Sequence, residues 1–227
     1  MSEFAAHETD YDVVEGEPPE LLGRNLTSAG HLLASATAFF FLAFIFAYFY
    51  LRSLNNAGLW HPKHVTAPTT FGTLVMALTV VSAILVRLGV ADQRAGRRSE
   101  WRLKAAAGLA AGVGVVVLQV VEWATMGFGP ADGGYASVFF GWTAFNLLFI
   151  VGTLFWLQNL LATAIRYRNV PVGGTLTPGH ASGDPGRLGH DVADPLSLVR
   201  PGLEALSFYW TFLAGLGVLA WIVLYLA

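Results

Sequence analysis

Residues 32–51 have the sequence LLASATAFFFLAFIFAYFYL, and this stretch decides the fold class of the chain. It is the core of a longer segment, 25–51, that contains no Asp, Glu, Lys or Arg and is bounded by Arg24 and Arg52. A helix crosses the hydrocarbon core of a bilayer with about 20 mostly apolar residues. The stretch therefore predicts a transmembrane helix.

Four further apolar segments of similar length follow along the chain. Together with the first, they predict transmembrane helices at about 27–52, 68–90, 103–127, 134–165 and 203–227. The composition agrees, since 55% of the residues are hydrophobic and 12% are charged, against about 45–50% and 25% in soluble domains. The sequence thus predicts an all-α integral membrane protein, a bundle of five transmembrane helices.

The distribution of Lys and Arg predicts how the bundle is oriented. Ten of these residues lie in the segments 87–104 and 166–200, whereas two lie in 52–63. Because basic residues concentrate on the cytoplasmic side of a membrane, we expect the N-terminus in the cytoplasm and the C-terminus outside.

Two polar segments lie outside the predicted spans. Segment 1–24 carries seven carboxylates against a single Arg, and so acidic a segment buries too little apolar surface to fold alone. Segment 171–200 is rich in Gly, Pro and Asp, a composition typical of flexible connections. We expect the first to be a disordered cytoplasmic tail and the second a flexible cytoplasmic insert in the membrane domain, 25–227.

The residue types argue against a metal or haem site in this chain. Cys is absent, and of the six His residues only His31 lies inside an apolar segment. Zinc, iron–sulfur and haem sites draw their ligands mainly from Cys and His. We therefore expect no bound metal and no catalytic residues.

Glu122 is the one carboxylate well inside a predicted span, and Gln119 precedes it by about one helical turn. An ionisable residue inside a membrane is costly and is a functional hypothesis by default. Two readings are open: hydrogen bonding to a neighbouring helix or to lipid, or the handling of a proton or ion. Its place late in the third span predicts a position near the outer edge of the hydrocarbon, where water or headgroups could solvate it. We expect its partner to be a hydroxyl, an indole or an amide on span four or five, with Tyr135, Trp142 and Tyr209 as candidates.

Two further features favour structural roles. Glu204 stands at the predicted start of the fifth span. There a carboxylate offsets the positive end of the helix dipole or forms a hydrogen bond within the bundle. Gly108 and Gly112 form a G-x-x-x-G pattern in the third span, which lets helices approach closely.

Around Glu122 the sequence becomes specific enough to suggest a family. The pattern that carries the resemblance runs Leu118-Gln119-x-x-Glu122-Trp123, then Gly127-Phe128, then Asp132-Gly133-x-Tyr135-x-Ser137-x-Phe139-Phe140. It continues in the fifth span with Glu204-Ala205-x-x-Phe208-Tyr209-Trp210-x-Phe212 and occurs in the first as Ala47-Tyr48-Phe49-Tyr50-Leu51-Arg52. These residues resemble the haem-copper oxidase (cytochrome c oxidase) subunit III family, and the five-span layout resembles its shorter bacterial members.

The chain departs from the family pattern at several polar positions. The carboxylate of the family's first conserved span falls on Ala36 or Thr37, and the two His of its F-H-G-L-H signature fall on Asn146 and Phe149. Thr211 and Ala214 stand where the family has His and Asp in the last span. The resemblance therefore indicates a divergent member.

The resemblance implies a non-catalytic subunit of a bacterial terminal oxidase in the cytoplasmic membrane. Its expected partners are catalytic subunit I, subunit II and membrane lipids, with no nucleic acid; phospholipid would bind this chain, and haem and copper would lie in the partner subunit. The residues expected to contact lipid or pack helices are Glu122, Gln119, Tyr135, Glu204, Tyr209, Trp210 and Arg52.

Two alternatives stay open on the sequence alone. One is a subunit III-like component of a nitric-oxide reductase or quinol oxidase. The other is a small membrane transporter, which would need polar residues that converge at mid-membrane; Asn146 alone approaches that requirement.

Overall fold

The structure is a computed structural model that describes residues 19–55, 58–62, 64–166 and 199–226. Within these ranges the secondary structure is helical, with no strand. The helices are α1 (Pro19–Ser53), α2 (Thr69–Arg94), α3 (Arg98–Thr125), α4 (Gly134–Arg166) and α5 (Val199–Trp221). A π-helical turn, Ile222–Leu226, continues α5. All five helices are long and apolar enough to cross a membrane, as expected of a multi-pass membrane protein.

With the π turn counted as part of α5, the helices begin and end within five residues of the predicted spans, except α1, which begins eight residues earlier than predicted. Helix α1 begins at Pro19, so residues 19–24 of the predicted acidic tail are helical; proline suits a first helical position because its missing N–H would have no partner there. Helix α5 begins at Val199 rather than near 203, because Pro201 is tolerated within a first turn. The rest of the predicted tail, 1–18, and of the predicted insert, 171–198, lies outside the described residues.

The five helices run alternately up and down, which places the connections at two ends of the bundle. The α2–α3 connection lies at the same end as the start of α5, where Arg94 pairs with Glu204; we call this the α2–α3 end. The α1–α2 and α3–α4 connections meet at the opposite, α3–α4 end, where the Tyr135 N–H donates to the Trp60 carbonyl at 2.9 Å.

Helix α5 is the centre of the bundle. It packs against α1, α2 and α4, while α3 packs against α2 and α4. The α2–α3 pair is the most extensive contact, and its tight turn places Gly96 at a φ of 74°, a left-handed conformation that glycine adopts without steric cost.

The G-x-x-x-G pair of α3 lies where helices approach closely. A Cβ at Gly108 would lie 2.9 Å from Val86 Cγ2 on α2, and one at Gly112 would lie 2.3 Å from Leu154 Cδ2 on α4. Both distances are too short for a methyl group without movement of the neighbour. The two glycines therefore fit α3 against two different helices.

Gly72 makes the tightest approach to an aromatic ring. A Cβ at this position would lie 2.2 Å from Cζ of Tyr225. The ring lies directly on the backbone of α2, so the π turn of α5 packs against the first turns of α2.

We expect Gly72→Ala to destabilise the protein by about 1–3 kcal/mol, because the added methyl group overpacks a rigid ring. The matched control is Gly152→Ala, since Gly152 is exposed on α4 with no heavy atom within 4 Å of a built Cβ. That change should be neutral or stabilise by up to about 1 kcal/mol through helix propensity. Unfolding in mixed micelles measures the free energy of unfolding of both variants. Equal effects would contradict the close packing of the Tyr225 ring on Gly72.

Candidate functional site

The candidate site is built around Glu122, which lies in the last turn of α3. Its side chain is 0% exposed, so the expectation that water or lipid headgroups solvate it is wrong. The residue lies on the inward face of α3, and the end of α5 covers it. The carboxyl group therefore depends on hydrogen bonds within the protein.

Two donors meet the two carboxyl oxygens of Glu122. Gln119 Nε2 donates to Oε2 at 2.7 Å, and the Tyr225 hydroxyl donates to Oε1 at 2.7 Å. The first bond is local, because residues three apart share a helix face. The second joins α3 to the π turn of α5 and is the interhelical contact that the buried carboxyl requires.

The sequence predicted an interhelical partner for Glu122 but named the wrong residues. Tyr135 donates instead to the Leu224 carbonyl at 2.7 Å, and Tyr209 lies 3.0 Å from the Thr37 hydroxyl. Trp142 has no hydrogen-bond partner for its indole nitrogen among the described residues. Tyr225 was missed because its orientation depends on the π turn, whose wider i→i+5 pattern changes the helical register.

Tyr135 also belongs to this end of the bundle. The last carbonyl groups of a helix have no intrahelical donor, and Tyr135 supplies one to Leu224. Together the two tyrosines fix the end of α5 from both sides, Tyr225 toward α3 and Tyr135 from α4.

A cavity of about 370 Å³, here called the mouth cavity, lies beside these tyrosines at the α3–α4 end. It is lined in part by Arg52, Trp60 and His61 from α1 and the α1–α2 connection, and by Tyr135 and Tyr225. Arg52 thus lies at the edge of the site rather than in the Glu122 contacts.

Tyr209 and Trp210 lie in the first half of α5, away from the α3–α4 end of the bundle. The Trp210 indole N–H donates to Ser82 Oγ at 3.1 Å, and that hydroxyl donates to the Gly108 carbonyl at 2.7 Å. This relay joins α5, α2 and α3 through buried groups. Tyr209, bonded to Thr37, joins α5 to α1. Both residues therefore pack helices.

Of the two structural roles predicted for Glu204, the structure has the hydrogen bond within the bundle and not the one at the helix start. Because α5 begins at Val199, Glu204 lies beyond the first turn of the helix. Its Oε1 lies 2.9 Å from Arg94 Nε and 3.3 Å from Arg200 Nε. The contact with Arg94 ties the end of α2 to the beginning of α5.

The structure also contains a cluster of ion pairs around Asp92 that we did not predict from the sequence. Asp92, 2% exposed near the end of α2, accepts hydrogen bonds from Arg97 and Lys104. Bonding to Asp92 raises the pKa of the Arg97 guanidinium above its ordinary value. The cluster closes the α2–α3 turn, and the signal for it was an acidic residue, Asp92, in the strongly basic segment 87–104.

The structure thus divides the predicted site residues into two groups. Gln119, Glu122 and Tyr135 come together around Tyr225 at the α3–α4 end, with Arg52 on the adjoining cavity. Tyr209, Trp210 and Glu204 lie elsewhere along α5. Within the described ranges, no three His, Asp or Glu side chains group together as a metal centre would require.

Comparison with known proteins adds no relative: no protein-family model and no curated protein matches the chain.

We expect Glu122→Gln to be mild, because glutamine has the same size and keeps an acceptor for the Tyr225 hydroxyl. Glu122→Leu should destabilise the protein by about 1–3 kcal/mol, because it leaves two buried donors without an acceptor. Unfolding in mixed micelles measures both changes.

The same two variants distinguish packing from proton handling. If Glu122 carries a proton in an activity of the assembled protein, the Gln variant loses that activity as fully as the Leu variant. A Gln variant that is stable yet inactive would contradict the packing role.

Proposed function

We propose that this chain is the non-catalytic subunit III of a bacterial haem-copper terminal oxidase, a cytochrome c oxidase of the aerobic respiratory chain. In this role it lies in the cytoplasmic membrane, packs against catalytic subunit I beside subunit II, and holds phospholipid. Haem and copper belong to the partner, and this chain has no catalytic site of its own. The proposal starts from the residues of the resemblance described above.

The main support for the proposal is that those residues form hydrogen bonds between helices. Glu122 bonds to Tyr225, Tyr209 to Thr37, and Trp210 to Ser82. Each contact joins two helices; those of Tyr209 and Trp210 are buried, and that of Glu122 is partly buried. Polar groups engaged in this way hold a scaffold together, which favours a structural subunit over a chain that performs its own chemistry.

The outward face of α1 gives further support. In the most apolar 18-residue window of this helix 22% of the residues are buried within the chain, against 44% in α4 and α5. Phe39 and Phe46 are 76% and 69% exposed. Because aromatic side chains are enriched at protein interfaces, this face suits a subunit or lipids in the membrane.

The proposed orientation is testable by insertion of reporters. Gly58 and Gly96 lie in exposed turns at opposite ends of the bundle. From the bias of ten basic residues to two, we expect alkaline phosphatase to be active after Gly58 and inactive after Gly96, with green fluorescent protein giving the opposite pattern. Activity of one reporter at both sites would contradict five alternating spans.

Co-purification tests the function itself. The tagged chain, extracted with mild detergent from the bacterium that encodes it, should carry a catalytic subunit with haem a and copper and consume oxygen with a reduced cytochrome c donor. Untagged membranes treated in parallel are the control.

Other outcomes decide between the alternatives. Haem b with non-haem iron would indicate a nitric-oxide reductase partner, and oxygen consumption with quinol alone a quinol oxidase. A chain that purifies without any haem protein would contradict the proposal and favour a transporter.

A further inference from the structure

A second, smaller cavity lies within the bundle and has no role in the proposed function. This inner cavity has a volume of about 30 Å³. Residues from α2, α3, α4 and α5 line it, among them Thr79, Gln119, Trp142, Thr143 and Asn146. Polar side chains form part of its lining at a depth where a membrane protein is ordinarily apolar.

The depth follows from helix geometry. Trp142 and Asn146 lie 8 and 12 residues beyond Gly134, the first residue of α4. At a rise of about 1.5 Å per residue they lie about 12 and 18 Å from that end of the helix. In a helix that crosses a hydrocarbon core of about 30 Å, both positions are inside the membrane.

Two buried polar atoms on this cavity have no partner among the described residues: the indole nitrogen of Trp142 and the side-chain oxygen of Asn146. Trp142 is 0% exposed. The residues are four apart on α4, so they share one helix face. One is a donor and the other an acceptor, and unpaired polar groups at this depth are costly.

A third group adds an acceptor. The Thr79 hydroxyl donates to the Val75 carbonyl at 2.7 Å, which leaves the lone pairs of its oxygen free to accept. Buried waters typically make about three hydrogen bonds, and each needs roughly 10–15 Å³. The inner cavity offers enough hydrogen-bond partners and enough volume for water, whereas organic ligands occupy pockets of about 300–1,000 Å³.

We propose that the inner cavity is an internal hydration site that binds one or two water molecules between Trp142, Asn146 and Thr79. The water accepts from the Trp142 indole and donates to the Asn146 and Thr79 oxygens. Gln119 lines the cavity and donates to Glu122, so the hydration site lies next to the Gln119–Glu122 pair. Tyr225 lines both this cavity and the mouth cavity, which places the route of water exchange beside that ring.

The experiment uses the full chain in lipid bilayers with ¹⁵N-labelled tryptophan indoles. Solid-state NMR measures the transfer of magnetisation from water to each indole N–H, and a Trp142→Phe variant assigns the Trp142 signal. Trp210 is the internal control, because it is 1% exposed and its N–H is bonded to Ser82. We expect transfer from water to Trp142 and none to Trp210.

A variant tests the geometry of the site. Asn146→Leu removes the acceptor and fills the cavity, so transfer to Trp142 should be lost while the Trp210 signal keeps its position. Absence of transfer to Trp142 in the wild-type chain, or its persistence in Asn146→Leu, would overturn the proposal. The wild-type comparison of the two indoles decides the matter even if the variant fails to fold.

Discussion

The burial of the Glu122 carboxyl is the constraint on which the rest of this bundle depends. A carboxyl group enclosed at membrane depth must be hydrogen-bonded, because neither lipid nor bulk water satisfies it. Gln119 supplies one donor from the same helix, and Tyr225 supplies the other from the end of α5. To place that hydroxyl, α5 must end over α3 and its final turn must widen. The Glu122 carboxyl on α3 therefore sets the position of the end of α5.

Other contacts extend this arrangement along α5. The Tyr225 ring sits on Gly72 of α2, the Trp210–Ser82 bond joins α5 and α2 farther along, and the ion pair of Glu204 with Arg94 fixes the beginning of α5 at the α2–α3 end. Because apolar side chains gain little by leaving lipid for a protein interior, close packing and polar contacts such as these stabilise membrane bundles. A central helix held at both ends and in its first half gives the bundle a rigid core.

The five helices could be predicted from the sequence because a span depends on local composition alone. The need of Glu122 for a partner could be predicted for a similar reason, since the cost of a buried carboxyl does not depend on the fold. The identity of that partner could not, because a repeat of 3.6 residues does not reveal the π turn that orients Tyr225. Glu204 was placed in the first turn of α5 by mistake, because Val199, rather than a residue near 203, begins the helix. Asp92 was missed because its bonds to Arg97 and Lys104 exist only once the α2–α3 turn has formed.

A double-mutant cycle measures whether the Glu122–Tyr225 bond docks α5 on α3. Glu122→Leu, Tyr225→Phe and the double variant would be unfolded in mixed micelles of SDS, with Tyr209→Phe, whose partner is Thr37 on α1, as the control second site. We predict a coupling free energy of about 0.5–2 kcal/mol between Glu122 and Tyr225, and additive effects between Glu122 and Tyr209. Additive effects for Glu122 and Tyr225 would show that their bond does not dock α5 on α3.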